Sequence, residues 1–87
     1  MKKFKKILIY TSSSFLGKKE TKDVIKYLSK KCSCVDVHTL ELKNNNLNTI
    51  KYDLVLSIGG DGVFIAASKY AYKKSISVLG LNFGRLG

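Results

Sequence analysis

The chain has 87 residues and a formal charge of +10, with 45% hydrophobic and 25% charged residues and no proline. That length holds one small domain or part of a larger one, and a domain of this size buries only about 60–65% of the surface its unfolded chain exposes. The composition is globular rather than disordered, and no apolar run reaches the roughly 18 residues that a membrane span requires.

Lys2, Lys3, Lys5 and Lys6 precede Ile7-Leu8-Ile9-Tyr10, which gives the outline of a secretory signal. The apolar stretch is too short for one, since a signal core needs roughly 7–15 apolar residues and a small-residue cleavage site. A strand buried on both faces is the simpler account, ending in the polar Thr11-Ser12-Ser13-Ser14. From about Lys18 to Lys31, Val24 and Leu28, followed by Cys32, lie four apart and form one helical stripe among lysines. Val35 and Val37 alternate with Asp36 and His38, as in a short strand. His38 is then expected at a sheet edge or surface, without a catalytic role. Asn44-Asn45-Asn46 and Asn48 read as a loop.

Leu54-Val55-Leu56-Ser57-Ile58 is a second buried strand, followed by Gly59-Gly60-Asp61-Gly62. Val63, Ala66, Ala67 and Tyr70 fall at i, i+3, i+4 and i+7, a helical face. Ile76 to Leu81 is a further apolar run and leads into Asn82-Phe83-Gly84-Arg85-Leu86-Gly87. The order β-α-β, loop, β-α-β predicts an α/β domain with a parallel sheet and covering helices.

Fifteen of the 16 basic residues are Lys, with pairs at 2–3, 5–6, 18–19, 30–31 and 73–74. One reading is attraction for anions: nucleic acid, a membrane surface or phosphate ligands. The other, favoured here, is a solvated lysine surface, because Arg and stacking aromatics are the better signs of nucleic-acid recognition. Cys32, Cys34 and the single His38 do not make a metal set. The two thiols suit a reducing cytoplasm.

Asp61-Gly62 between apolar runs fits a hairpin, but the spacing after Gly62 follows 3.6 rather than 2, which favours strand–loop–helix. Glycines let the backbone approach a phosphate closely, and the amides at a helix start donate to its oxygens. A carboxylate repels phosphate, so Asp61 has two readings of equal weight. It is a helix N-cap, or it accepts a proton or meets Mg²⁺. Neither the G-x-G-x-x-G dinucleotide pattern nor the Walker A lysine pattern is present.

The segment Asp53 to Gly62, together with Leu79-Gly80-Leu81-Asn82-Phe83-Gly84-Arg85-Leu86-Gly87, resembles the NAD kinase family. That family carries a strand, GGDGT, a helix, a strand and a G-x-N-x-G-x-L-G-F-L run. GGDG alone is shared with phosphofructokinases and with lipid kinases of the diacylglycerol type; the Asn82–Gly87 run makes the likeness specific. The resemblance covers residues 53–87, and residues 1–52 agree only in strand–helix order.

The resemblance implies a Rossmann-like three-layer N-terminal domain of the phosphofructokinase/NAD kinase type, spanning residues 1–87 and incomplete, with a second, β-rich domain absent. It implies transfer of the ATP γ-phosphoryl to the 2′-hydroxyl of the adenosine ribose of NAD, giving NADP. Asp61 corresponds to the catalytic acidic residue. Gly59, Gly60 and Gly62 correspond to the phosphate-cradling backbone, and Phe64 and Ile65 to apolar positions of the dinucleotide pocket. Asn82, Gly84 and Arg85 fall in the second motif at the mouth of the cleft. No protein ligand set for a metal is assigned; Asp61 is the candidate to meet the Mg²⁺, or another divalent ion, that accompanies ATP. The implied partners are NAD, ATP and further copies of the full-length protein, with a cytoplasmic location and no membrane.

Two departures stand out. Val63 replaces the usual Thr, and the chain stops at Gly87, before the expected Phe-Leu. With the cleft between two domains, this chain alone would hold half a site and be inactive. The alternatives are a lipid or sugar kinase of the GGDG class, against which the Asn82–Gly87 run argues, and a non-enzymatic basic module that binds nucleic acid.

Overall fold

The computed structural model describes residues 5–40 and 51–82. Four strands, β1 (Lys6–Thr11), β2 (Cys34–Thr39), β3 (Leu54–Ile58) and β4 (Ser77–Leu81), form one sheet in the order β2-β1-β3-β4. Every pairing is parallel. Two helices, α1 (Ser13–Leu16) and α2 (Lys19–Lys31), lie between β1 and β2, and α3 (Asp61–Lys74) lies between β3 and β4.

The sheet winds outward from β1 and β3 in opposite directions. Parallel crossovers are right-handed, so opposite directions place their helices on opposite faces. Val24, Ile25, Leu28 and Cys32 of the α2 segment pack on Ile7, Ile9, Leu56 and Ile58. On the other face Val63, Ala67 and Ala71 of α3 pack on Leu8, Tyr10 and Val55. The unbroken apolar runs of β1 and β3 thus feed two cores, one per face, as strands covered on both sides must. This is the expected three-layer α/β domain. Among the described residues, no helix is long and apolar enough to cross a membrane.

α2 reaches only part of its face. An apolar groove of roughly 640 Å³ runs between Val24, Tyr27 and Leu28 of α2 and Leu54, Leu56, Leu79 and Leu81 of the β3–β4 half.

Two elements carry detail beyond the sequence reading. The serine run after β1 enters a helical turn: Ser12 takes an extended conformation and its carbonyl accepts from Phe15 and Leu16 at 3.1 and 2.9 Å. Serine favours such a helix entry, and the turn is too short to show apolar periodicity. In β2, Asp36 does not face water freely. It is half-buried and accepts bonds from the Tyr52 hydroxyl at 2.6 Å and the Cys34 thiol at 3.6 Å. Tyr52 is 2% exposed, and burial first, then the Asp36 bond, pushes its hydroxyl well above the usual phenol range. β2 is an edge strand, and His38 on it is half-buried with its ring 4.9 Å from that of Tyr10. The asparagine loop lies outside the described residues.

At the N-terminal end of the sheet, the Asp53 carboxylate accepts the amides of Lys5 and Lys6 at 2.9 Å each, and the Asp53 amide donates to the Lys6 carbonyl at 2.8 Å. The Lys6 amide bond, then that of Lys5, hold the carboxyl below its ordinary value of 3.8. A carboxyl whose folded value is depressed stabilises the fold above its unfolded value and stops doing so as pH falls through the folded one. Urea unfolding of the chain between about pH 6 and pH 2 is expected to show an acid-dependent loss that sets in as pH approaches the ordinary carboxyl value and continues down through the lower folded one. Asp53→Asn should flatten that loss; an identical pH dependence in the variant would contradict this assignment.

Candidate functional site

In an open parallel sheet, ligands bind beyond the carboxyl ends of the strands where the strand order reverses. Here that point lies between β1 and β3, and the glycine-rich turn is the segment that leaves β3 there. Gly59 has φ +149°, and a Cβ on it would lie 2.8 Å from Val63 Cγ2 and 3.4 Å from Phe15 Cδ2. Only glycine fits both the conformation and the space. Gly60 is the N-cap of α3 and contributes no side-chain cap; its carbonyl accepts the Phe64 amide at 3.1 Å. A Cβ on Gly60 would meet open space. Among the described residues, packing therefore does not demand a glycine there.

Asp61 is the first residue of α3, one position beyond the cap, and its side chain is exposed. Of its two readings, the capping one is not realised. A carboxylate in the first turn still suits the positive end of the helix dipole.

A cavity of roughly 350 Å³ opens beside this turn, lined by Ser57, Gly59, Gly60, Asp61, Phe64, Gly80, Leu81 and Asn82. The Gly59 amide donates to the Leu81 carbonyl at 3.1 Å, which ties the turn to the end of β4. The Phe64 ring lies over Gly80, where a Cβ would come within 2.8 Å of its Cδ1. Five of the residues singled out from sequence, Gly59, Gly60, Asp61, Phe64 and Asn82, thus share one cavity wall. Gly62 and Ile65 sit on α3 outside that wall, Ile65 being 54% exposed. Gly84 and Arg85 lie outside the described residues.

Ser57, Gly80 and Leu81 are wall residues that the sequence reading did not single out. Gly80 carried a signal: a glycine inside an apolar strand run marks a close approach, here by Phe64. Ser57 gave the matching sign, a lone hydroxyl in a run otherwise apolar. Val63, in place of the family's Thr, is 4% exposed and belongs to the α3-side core rather than to the cavity wall. Burial holds the His38 ring below its ordinary pKa, and among the described residues no group of three or more His, Cys, Asp or Glu side chains is placed to hold a metal ion.

Chemically, the wall pairs an exposed carboxylate with a glycine turn at a helix start. The backbone suits phosphate oxygens, and the carboxylate suits a hydroxyl that must lose a proton. Gly59→Ala is expected to cost about 1–3 kcal/mol, from a side chain in a glycine-only conformation and its overlap with Val63; a urea midpoint equal to wild type would refute it. Gly80→Ala should displace the Phe64 ring, which a crystal structure of the variant checks directly.

Comparison with known proteins follows the same residues. The ATP-NAD kinase N-terminal domain model matches residues 2–87. The NAD kinase of Carboxydothermus hydrogenoformans is 40% identical over 60 residues, which is 69% of this chain and 20% of that protein. The NAD kinase of Bacteroides fragilis is 39% identical over 66 residues, 64% of this chain and 23% of that protein. That of Rhodococcus erythropolis is 54% identical over 35 residues, 40% of this chain and 11% of its own length. The matched part is therefore about a fifth of the length of the first two curated relatives.

Proposed function

Because the chain belongs to the ATP-NAD kinase N-terminal domain family, we propose that it supplies one wall of a site that makes NADP from NAD and ATP. In this reaction the 2′-hydroxyl oxygen of the adenosine ribose forms a bond to the γ-phosphorus of ATP. The bond from that phosphorus to the bridging oxygen breaks, ADP leaves, and the hydroxyl proton is transferred to a base.

The observation that carries the reading is the position of Asp61. Its carboxylate stands exposed on the cavity wall beside Gly59 and Gly60, uncommitted to capping α3. In the proposed role it accepts the hydroxyl proton, a contribution worth about 10²–10⁴-fold for a well-placed base. The glycine turn lets the backbone approach the phosphates, and Phe64 offers an apolar surface to the nucleoside. Asn82, which follows β4, lines the same cavity. The remaining contacts would come from a second domain, as the family resemblance implies.

A divalent cation fits this donor set in a restricted way. Mg²⁺ is commonly held by one or two carboxylates together with substrate phosphates, and Asp61 offers one carboxylate at the cavity. Such an ion would neutralise charge on the transferred phosphoryl group.

The test uses a version of the chain that carries the second domain, incubated with ATP, Mg²⁺ and NAD, with NADP formation followed enzymatically. Asp61→Asn should lower kcat by about 10²–10⁴-fold while the protein remains folded. Equal rates from the variant would remove Asp61 from the chemistry. NADP absent from the wild-type reaction, with phosphorylation of diacylglycerol, sphingosine or fructose phosphate instead, would replace the proposed substrate.

A further inference from the structure

Residue Thr11 is 0% exposed at the end of β1, and no sequence motif marks it. Its backbone pairs with Thr39 of β2, and its carbonyl accepts the Leu40 amide at 3.0 Å. Toward β3 the register runs only from Ile7↔Leu54 to Tyr10↔Ser57. One step later, where backbone pairing has stopped, the Thr11 hydroxyl donates to the Ile58 carbonyl at 2.8 Å.

Ile58 is also 0% exposed, so its carbonyl has little access to water and needs a partner within the protein. That carbonyl and the Gly59 amide belong to the same peptide unit. The amide side of the unit donates to Leu81 on β4 at 3.1 Å. The peptide plane from which the glycine turn departs is thus held at both edges, by β1 through a side chain and by β4 through a backbone carbonyl. A planar peptide held at both edges has little freedom to rotate, and the next residues in the chain are Gly59, Gly60 and Asp61.

We infer that the Thr11 hydroxyl is a positioning group for the glycine turn, fixing the Ile58–Gly59 peptide and through it the placement of Asp61. The catalytic part of this inference rests on the function proposed above; the structural part does not. Valine is close to threonine in shape and lacks the hydroxyl, so Thr11→Val removes the bond with little change of volume, while Thr11→Ser keeps the donor.

In the full-length protein with ATP, Mg²⁺ and NAD, Thr11→Val should lower kcat by about tenfold or more, since small misplacements of reacting groups cost up to about 10²-fold. KM for NAD and ATP should change far less, and Thr11→Ser should restore most of kcat. All rates are taken at a temperature where circular dichroism shows each variant folded. A Thr11→Val enzyme with wild-type kcat, or a Thr11→Ser enzyme as impaired as Thr11→Val, would overturn the inference. Should Thr11→Val not fold, Thr11→Cys replaces it, because a thiol fills the site as a weaker donor. Wild-type protein without NADP formation would count against the proposed function alone. Native-state hydrogen exchange of the Gly59 amide then tests Thr11 directly. It should quicken in Thr11→Val while the Leu8 amide keeps its rate; equal Gly59 exchange in variant and wild type would overturn the inference.

Discussion

Within the described residues, every ladder bond between the two β-α-β halves runs through the pairing of β1 with β3, from Ile7↔Leu54 to Tyr10↔Ser57. The rest of the architecture depends on this contact. Because each half winds away from it, α2 and α3 must cover opposite faces. Because the strand order reverses there, the chain diverges past the strand ends, and a crevice opens beyond β1 and β3. The glycine turn sits at that crevice because β3, one of the two central strands, ends in it.

What shapes the crevice is a pair of close approaches made by consecutive residues of α3. Val63 leans on Gly59 at the end of β3, and Phe64 leans on Gly80 within β4. One helix is thus seated on two strands at glycines where an added Cβ would overlap its side chains. Its first residue, Asp61, inherits that seating. Val63, where the family has Thr, falls on the buried side of this arrangement and is not among the residues of the cavity wall.

The parts of the structure legible in the sequence were those with a local signature. Two unbroken apolar runs announced strands covered on both faces, the 3.6 spacing after Gly62 distinguished a helix from a hairpin, and GGDG marked the turn. The parts that escaped were built by contacts distant along the chain. Tyr52 stands before β3 between Lys51 and Asp53, with no local sign of burial, yet its ring joins the α3-side core and its hydroxyl meets Asp36, sixteen positions earlier. Thr11 reads as the end of a strand, and its bond to Ile58 spans 47 positions. Phe15 approaches Gly59 from a helical turn too short to carry a period. Within the site, the glycines and Asp61 were visible because backbone chemistry demands particular residue types. Leu81 was not, since an apolar strand end commits to no partner until the sheet is assembled.

The double burial of β1 also bears on how its alignment is chosen. A strand with one wet face resists a one-residue slip, because the slip would carry its apolar side chains into water. β1 has no wet face between Ile7 and Tyr10, so a slip would exchange one apolar core for the other and meet a weaker hydrophobic penalty. Alignment must then be read from groups that are particular about their partners, and the β1–β3 pair has such groups at both ends. Asp53 recognises the amides of Lys5 and Lys6 at one end, and Thr11 recognises the Ile58 carbonyl at the other. Between these two polar stops the greasy residues supply cohesion, while the choice among nearly equivalent alignments belongs to a carboxylate and a hydroxyl.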